Sequence, residues 1–320
     1  MSGFALPGEW ADGGRAVRPR ALVGREDIRS IQVLASRLWP MGWHPGGLGW
    51  ALARNQLAEE IVLFDDEGGL AGWAGVGREP GELLAQVDST HPEVAHAIVE
   101  WLLRAASARE LTIEVANGDR VLVAALEQAG FTYQPVAEGG LGMRHACLPG
   151  APRCPPGYTV RAVRADETLA RVEVHRAAWA PASLPWHPDH RPVVDPRATS
   201  SFTMKSYEAA RETWLYDANF DLVAVAPDGT LAGCCIAWFD PASRCAEIEP
   251  LGVVPEHRRN GLAGAMCLEV VARVAAGGGE EVFIDTGPNA AYPASSGAYA
   301  KAGFEVVRRS RAYSLRRSAP

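Results

Sequence analysis

Two groups of residues in the last third of the chain have types and spacings that can do chemistry. The first is Arg258-Arg259-Asn260-Gly261-Leu262-Ala263-Gly264, which comes after an apolar run that stops at Pro255. This order predicts a strand, a short turn and a helix whose first turn is built from Gly and Ala. A helix start leaves backbone N–H groups unpaired and carries the positive end of the helix dipole. Small residues let a phosphate come close to those groups, and Arg258 and Arg259 add positive charge beside them. The segment is therefore a candidate pyrophosphate cradle; its plainer reading is a glycine-containing helix start. The second group is Glu247 and Glu249 in the predicted strand Cys245–Val253. A side-chain period of two puts both on one face, where a core strand would be apolar. They are candidate proton acceptors, or carboxylates solvated on an open sheet face.

The cradle resembles the signature of the GNAT superfamily, the Gcn5-related N-acetyltransferases: Gln/Arg-x-x-Gly-x-Gly/Ala after a strand. Arg258-Arg259-Asn260-Gly261-Leu262-Ala263 fits it, and Tyr299-Ala300-Lys301-Ala302-Gly303-Phe304 fits the family's Tyr-x-x-x-Gly-Phe ending. The resemblance implies acetyl-CoA as co-substrate, and a strand before the loop that splays from its neighbour. The backbone of Leu251, Gly252 and Val253 would then pair with the pantetheine arm. It also implies Tyr299 as the acid that protonates the departing thiolate, the other reading being a core aromatic on an amphipathic helix. Asn289 would be a pantetheine contact, although the gap to Tyr299 is longer than in the family and Tyr292 stands at the usual Asn position. The family's base glutamate lies eleven residues before the Gln/Arg, which is Glu247 here. Glu249 remains the reserve base or an anchor for the substrate ammonium.

The elements that position these residues emerge from the whole chain. Its 320 residues exceed one typical domain of ~100–200 residues. The Pro- and Gly-rich stretch CLPGAPRCPPGY, Cys147–Tyr158, breaks regular structure. We expect residues 1–148 as one domain, 149–158 as linker and 159–320 as a second. Landmarks recur in the same order in both halves. Asp65-Asp66-Glu67-Gly68-Gly69-Leu70-Ala71-Gly72 matches Pro227-Asp228-Gly229-Thr230-Leu231-Ala232-Gly233, His91-Pro92-Glu93 matches Val254-Pro255-Glu256, Asn117 matches Asn289, and Ala129-Gly130-Phe131 matches Ala302-Gly303-Phe304. The expected fold class is α/β with a mixed sheet, as two tandem GNAT-like domains of the type seen in mycothiol synthase. In the first copy Ala95 stands for the cradle Arg, Ile98 for the cradle Gly and Leu126 for Tyr299. That copy is read as degenerate, packing against the active half.

Bulk properties narrow the partners. A net charge of −7 argues against general nucleic-acid binding. No apolar run approaches the ~20 residues that span a bilayer, and the N-terminus has no signal-peptide core, so a cytoplasmic protein is expected. The six cysteines form no CxxC pair, and the Cys and His spacings match no zinc knuckle; no metal site is expected. The segment Trp179–Tyr216 holds Trp179, Trp186, His187, His190, Phe202, Tyr207, Trp214 and Tyr216. It reads either as a lid over an aromatic acceptor pocket or as a surface insertion; Trp39–Trp50 is similarly aromatic. The expected function is acetyl transfer to a primary amine of a small molecule by direct attack in a ternary complex. The alternatives are a protein or peptide N-acetyltransferase and a non-catalytic acyl-CoA-binding module. A Rossmann enzyme would need G-x-G-x-x-G after a first strand, which is absent. The acceptor's identity, the acyl chain length and the oligomeric state are not specified by the sequence.

Overall fold

A computed structural model describes residues 10–12, 15–116, 118–135, 140–147, 152–180, 200–286 and 293–317. In chain order the elements are β1 (Trp10–Asp12), β2 (Arg15–Ala21), α1 (Arg25–Leu38), α2 (Pro45–Ala53), β3 (Glu60–Asp66), β4 (Gly69–Val76), β5 (Glu82–Val87), α3 (Pro92–Ala105), β6 (Glu110–Val115), α4 (Arg120–Gln128) and β7 (Thr132–Tyr133). They continue with β8 (Leu141–Ala146), β9 (Thr159–Ala162), α5 (Thr168–Ala178), α6 (Met204–Arg211), β10 (Asp221–Val225), β11 (Leu231–Asp240), β12 (Cys245–Val253), α7 (Leu262–Ala276), β13 (Glu281–Thr286), α8 (Pro293–Lys301), β14 (Glu305–Arg309) and β15 (Arg311–Arg316).

Local chemistry sets the elements around the cradle. The β10–β11 hairpin turns at Asp228-Gly229: the Asp228 carboxylate accepts the Thr230 N–H at 3.0 Å, and Gly229 takes φ 88°, conformations Asx and Gly supply readily. α7 buries Leu262, Ala265, Met266, Val270 and Val274, a helical stripe, and stops at Gly277-Gly278 with Gly278 at φ 81°.

The chain divides into two compact units: Met1–Gly139 with Arg309–Pro320, and Gly140–Arg308. Among the described residues the first sheet runs β1-β2-β3-β4-β5-β6-β15-β7 and the second runs β14-β8-β13-β12-β11-β10-β9. Leaving β1 aside, the two orders correspond strand for strand when β2 is matched to β9 and the rest are taken in turn. Both sheets are mixed, with β5–β6 and β12–β13 parallel and antiparallel pairs around them.

The correspondence carries an exchange that the expected boundary at 148–159 does not contain. β8, at the end of the first half, lies in the second sheet between β14 and β13 and pairs with β13 from Leu141↔Thr286 to Ala146↔Glu281. β15, at the end of the chain, lies in the first sheet between β6 and β7 and pairs from Arg311↔Val115 to Arg316↔Glu110. Each repeat thus gives its last long strand to the other sheet, and the units part at 139/140 and 308/309. The pairing of a strand with one or the other of two similar sheets depends on long-range ladders, so Pro and Gly content cannot reveal it.

Tyr313 is encoded near the end of the chain but is 3% exposed in the core cluster of the first unit with Leu111, Ile113 and Val115. Tyr313→Ala is expected to cost about 3–5 kcal/mol and to lower hydrogen-exchange protection at Leu111–Val115 while sparing Cys245–Val253. Loss of protection in the second sheet instead would contradict the exchanged topology.

Candidate functional site

The geometry of the site begins where two parallel strands part. β12 and β13 pair at Cys245↔Glu281, Ala246↔Val282 and Glu247↔Phe283, and nowhere further. β13 stays paired on its other side with β8 through Thr286, and β12 with β11 through Val253. Ile248–Val253 and Ile284–Thr286 therefore form two walls of a wedge, each held from behind, with Leu251, Gly252 and Val253 on one wall. Backbone polar groups facing such a gap need partners, and an extended ligand arm can supply them.

β12 is not regular along the wedge. Its ladder with β11 shifts between Cys235 and Ala237, so that Glu249 and Pro250 lie opposite Ile236. Two residues against one is a β-bulge. Before it, Ala246 and Ile248 pack into the core cluster formed with α7 and α8; after it, Leu251 and Val253 do. The alternation flips across the bulge: Glu249 and Pro250 lie between two core-facing residues, and Leu251 rather than Pro250 returns to the α7 face. Glu247 keeps its place on the opposite face from α7 and is 6% exposed. The bulge is fixed by the buried Trp238, whose indole N–H donates to the Glu249 carbonyl at 2.5 Å.

The segment Arg258–Gly264 makes a tight turn into the start of α7. Arg259 and Gly261 take left-handed φ values of 68° and 80°, which folds the chain tightly before α7. α7 begins at Gly261 with no side-chain cap, so its first-turn N–H groups are available to an anion. Arg258 does not add free charge there: its Nε donates to the Val253 carbonyl at 3.1 Å and an Nη to the Ala178 carbonyl at 3.4 Å, tying the wedge wall to α5. Arg259, Asn260 and Gly261 are exposed, Ala263 and Gly264 half-buried, and Leu262 is a core residue at 1% exposure.

Tyr299, on α8, is 8% exposed and packs in the cluster that holds Ile248 and Ile284. Its ring lies 6.3 Å from that of Phe304. Glu247 and Tyr299 thus flank the wedge from opposite faces of the sheet. Asn289, Tyr292, Asn117, Trp186, His187 and His190 lie outside the described residues.

On the Glu247 face, α5 and α6 bury a charge cluster that sequence reasoning misses. Arg171 and Asp221 are fully buried, with Arg171 Nε donating to Asp221 at 2.8 Å. The hydroxyls of Tyr207 and Tyr216 donate to the other Asp221 oxygen at 2.6 and 3.1 Å, and burial beside that carboxylate pushes the Tyr216 phenol up to about 12. Phe202 and Tyr207, in the segment read as either a lid or a surface insertion, are core residues at 0% and 1% exposure. Trp214 and Tyr216 instead line an open cavity of about 420 Å³ with Phe220 and Phe239. Trp179 stacks on His175 at 4.4 Å and covers Gly252. Asp285 is a second residue that sequence reasoning misses. It is the next-to-last residue of β13 and accepts from Arg308 of β14 at 2.9 Å; an acidic residue after the apolar run Val282–Ile284 is the available signal. The thiols of Cys234 and Cys267 are buried and pushed up to about 11 and 12 by desolvation, which removes them as nucleophiles.

The first unit repeats the wedge without its chemistry. β5 and β6 pair only at Glu82↔Thr112 and Leu83↔Ile113, but β5 keeps an unshifted register with β4 and has no bulge. At the start of α3, Ala95 and Ile98 are fully buried, and His91 sits 2.7 Å from Asp66 and 3.7 Å from Asp88. Carboxylates there repel a phosphate.

Residues 183–304 match the family described as Acetyltransferase (GNAT) family. Three solved structures share the fold over nearly their whole lengths. A GCN5-related N-acetyltransferase from Sphaerobacter thermophilus is 21% identical, with 95% of this chain and 97% of that one covered at a TM-score of 0.54. A tandem GNAT protein from the clavulanic acid biosynthesis pathway is 14% identical, with 95% and 99% covered at 0.55. An acetyltransferase from the GNAT family from Colwellia psychrerythraea is 13% identical, with 93% and 99% covered at 0.60. No curated protein matches the chain.

A Cβ at Gly252 would meet Cζ3 of Trp179 at 2.1 Å and the Ala178 Cβ at 2.9 Å. Gly252→Ala is expected to displace the Trp179–His175 stack and to cost about 1–3 kcal/mol, read as a lowered midpoint in urea unfolding. An unchanged midpoint would mean that Trp179 does not pack on the wedge wall.

Proposed function

We propose that the second unit, whose residues 183–304 match the Acetyltransferase (GNAT) family model, transfers an acetyl group from acetyl-CoA to a primary amine of a small molecule by direct attack in a ternary complex. The observation that carries this reading is the wedge between β12 and β13, which runs straight into the uncapped start of α7. The residues present fit the donor: the backbone along Leu251, Gly252 and Val253 for the pantetheine arm, and the turn Arg259–Gly261 with the first-turn N–H groups of α7 for the pyrophosphate. The donor supplies an activated thioester carbonyl.

This chain's side chains supply the proton transfers. At neutral pH an alkylamine is mostly protonated, so attack requires a base. Glu247 takes that proton from the face opposite α7. Tyr299, on the α7 face, gives its proton to the departing thiolate. Placement on opposite faces keeps the two transfers apart, so the base cannot neutralise the acid directly. Glu249 serves through its carbonyl in the bulge, which sets the direction of the wedge wall. Gly252 admits Trp179 against that wall, and Arg258 locks the wall to α5.

Glu247→Gln is expected to lower kcat/KM for amine by about 100-fold or more, with the largest loss at low pH. Tyr299→Phe is expected to slow turnover with little change in acetyl-CoA affinity. Thiol release measured against small amines and against peptides checks both and separates the acceptor classes. Calorimetry showing no acetyl-CoA binding would defeat the reading; binding without thiol release for any acceptor would leave an acyl-CoA-binding module.

A further inference from the structure

The sheet face that carries Glu247 leads away from the wedge to a cavity. β11 and β12 pair at Trp238↔Glu247 and, two residues farther from the wedge, at Asp240↔Cys245. Directly opposed residues of antiparallel strands share a face, and so do residues two apart on one strand. These four side chains therefore stand together on the face opposite α7. Burial pushes the Cys245 thiol up, and Glu281, Glu247 and Asp240 raise it further, which agrees with a thiol lying between the last two. Beyond that rung the strands end at the turn 241–244, where the open cavity of about 420 Å³ begins.

The cavity's chemistry is specific. Its walls include the aromatic rings of Trp214, Tyr216, Phe220 and Phe239, and its charged members are Asp217 and Asp240. Among the described residues the lining holds no Lys, Arg or His; Arg211 lies over the Tyr216 ring at 5.9 Å without being part of it. The walls are fixed. Asp240 accepts the backbone N–H groups of Ala242 and Ser243 at 3.1 and 3.3 Å, and Asp217 accepts that of Asn219 at 2.8 Å. The Tyr216 hydroxyl donates to Asp221 at 3.1 Å, and its ring packs against Trp238 at 6.2 Å, the residue opposite Glu247. Aromatic faces beside carboxylates favour an apolar body that carries a positive charge. The volume lies in the ~300–1,000 Å³ range of small-molecule sites.

We propose that this cavity holds the body of the acceptor, and that the acceptor is a primary amine with an aromatic or otherwise apolar body whose nitrogen reaches past the Asp240–Cys245 rung to Glu247. The inference rests on the acetyl-transfer reading of the site. At ~3.4 Å per residue the two rungs lie about 7 Å apart, comparable with the span from ring centre to nitrogen in phenylpropylamine. Asp217 and Asp240 draw the ammonium in, the aromatic walls take the body out of water, and Glu247 receives the proton. A polar body gains nothing from such walls, and an anionic one is repelled by both aspartates.

The test uses the full chain with tryptophan labelled at the indole nitrogen and phenylpropylamine as probe. The Trp214 indole resonance is the one lost in Trp214→Phe. It should shift on titration with phenylpropylamine and stay in place with phenylpropionate, which has the same body and the opposite charge. Thiol release from acetyl-CoA gives the second readout. The kcat/KM for phenylpropylamine should exceed that for propylamine by about 10- to 100-fold, the factor expected for burying one phenyl group. Ala242 is exposed at the cavity wall, so Ala242→Phe fills the cavity while keeping the backbone N–H that Asp240 accepts, and should bring that ratio to about one. A Trp214 resonance unmoved by the amine, or moved equally by the carboxylate, overturns the proposal. A ratio near one in the unmodified protein, or one unaltered in Ala242→Phe, overturns it too; should Ala242→Phe fail to fold, Trp214→Ala, at a wall residue 37% exposed, provides the same ratio test. If the resonance shifts with the amine but no amine gives thiol release, the transfer reading fails and the cavity stands as an amine site.

Discussion

Two parallel strands that stop pairing after Glu247 and Phe283 govern the rest of the second unit. Opening a gap between paired strands costs the ladder bonds along it, and the cost is tolerable here because each wall is held from its far side. β11 backs one wall and β8 backs the other. The helices α7 and α8 close the back of the gap, and α5 closes part of the front. What remains is a slot with backbone on both walls, a helix start at one end and Glu247 on one face. Every group assigned a role in proton transfer or donor binding is placed relative to that slot.

The bulge at Glu249-Pro250 is the second constraint. One extra residue reverses the alternation of β12, so Ile248 before it and Leu251 after it both anchor into the same core. Without that reversal the wall would turn Leu251 and Val253 toward the Glu247 face and Gly252 toward α7. With it, Gly252 faces Trp179 closely and the wall lies flat against α5. The first unit shows the contrast within one molecule: β5 also parts from β6, but without a bulge, and its α3 start is crowded by buried Ile98 and faced by Asp66 and Asp88. The wedge is a property of the shared fold; among the described residues the bulge in its wall and the left-handed turn at Arg259 and Gly261 belong to the second unit alone.

The duplicated fold was legible from landmarks alone, because turns and helix ends depend on a few local residues. The Asp-Gly turn before β11 and the glycines at φ 90° and 94° after α4 and α8 recur for the same steric reasons in both copies. The exchange of β8 and β15 was not legible, since either strand satisfies the same alternation in either sheet and only the long-range ladder selects one. The cradle was legible as a position but not in its details. Its glycine and small residues announce a tight approach, yet whether Arg258 points to a phosphate or to the Val253 carbonyl depends on where α5 ends.

By itself, then, the sequence determined the mixed α/β class, the two repeats, the strand Cys245–Val253, the turn into α7 and the loss of cradle residues in the first copy. These depend on side-chain period, glycine φ and residue size, which act over a few neighbours. Only the tertiary structure decided which strand completes which sheet, how far β12 and β13 run together and where the alternation of β12 reverses. Those outcomes depend on register between segments far apart in the chain, and register is fixed by the packing of whole layers rather than by any one stretch of residues.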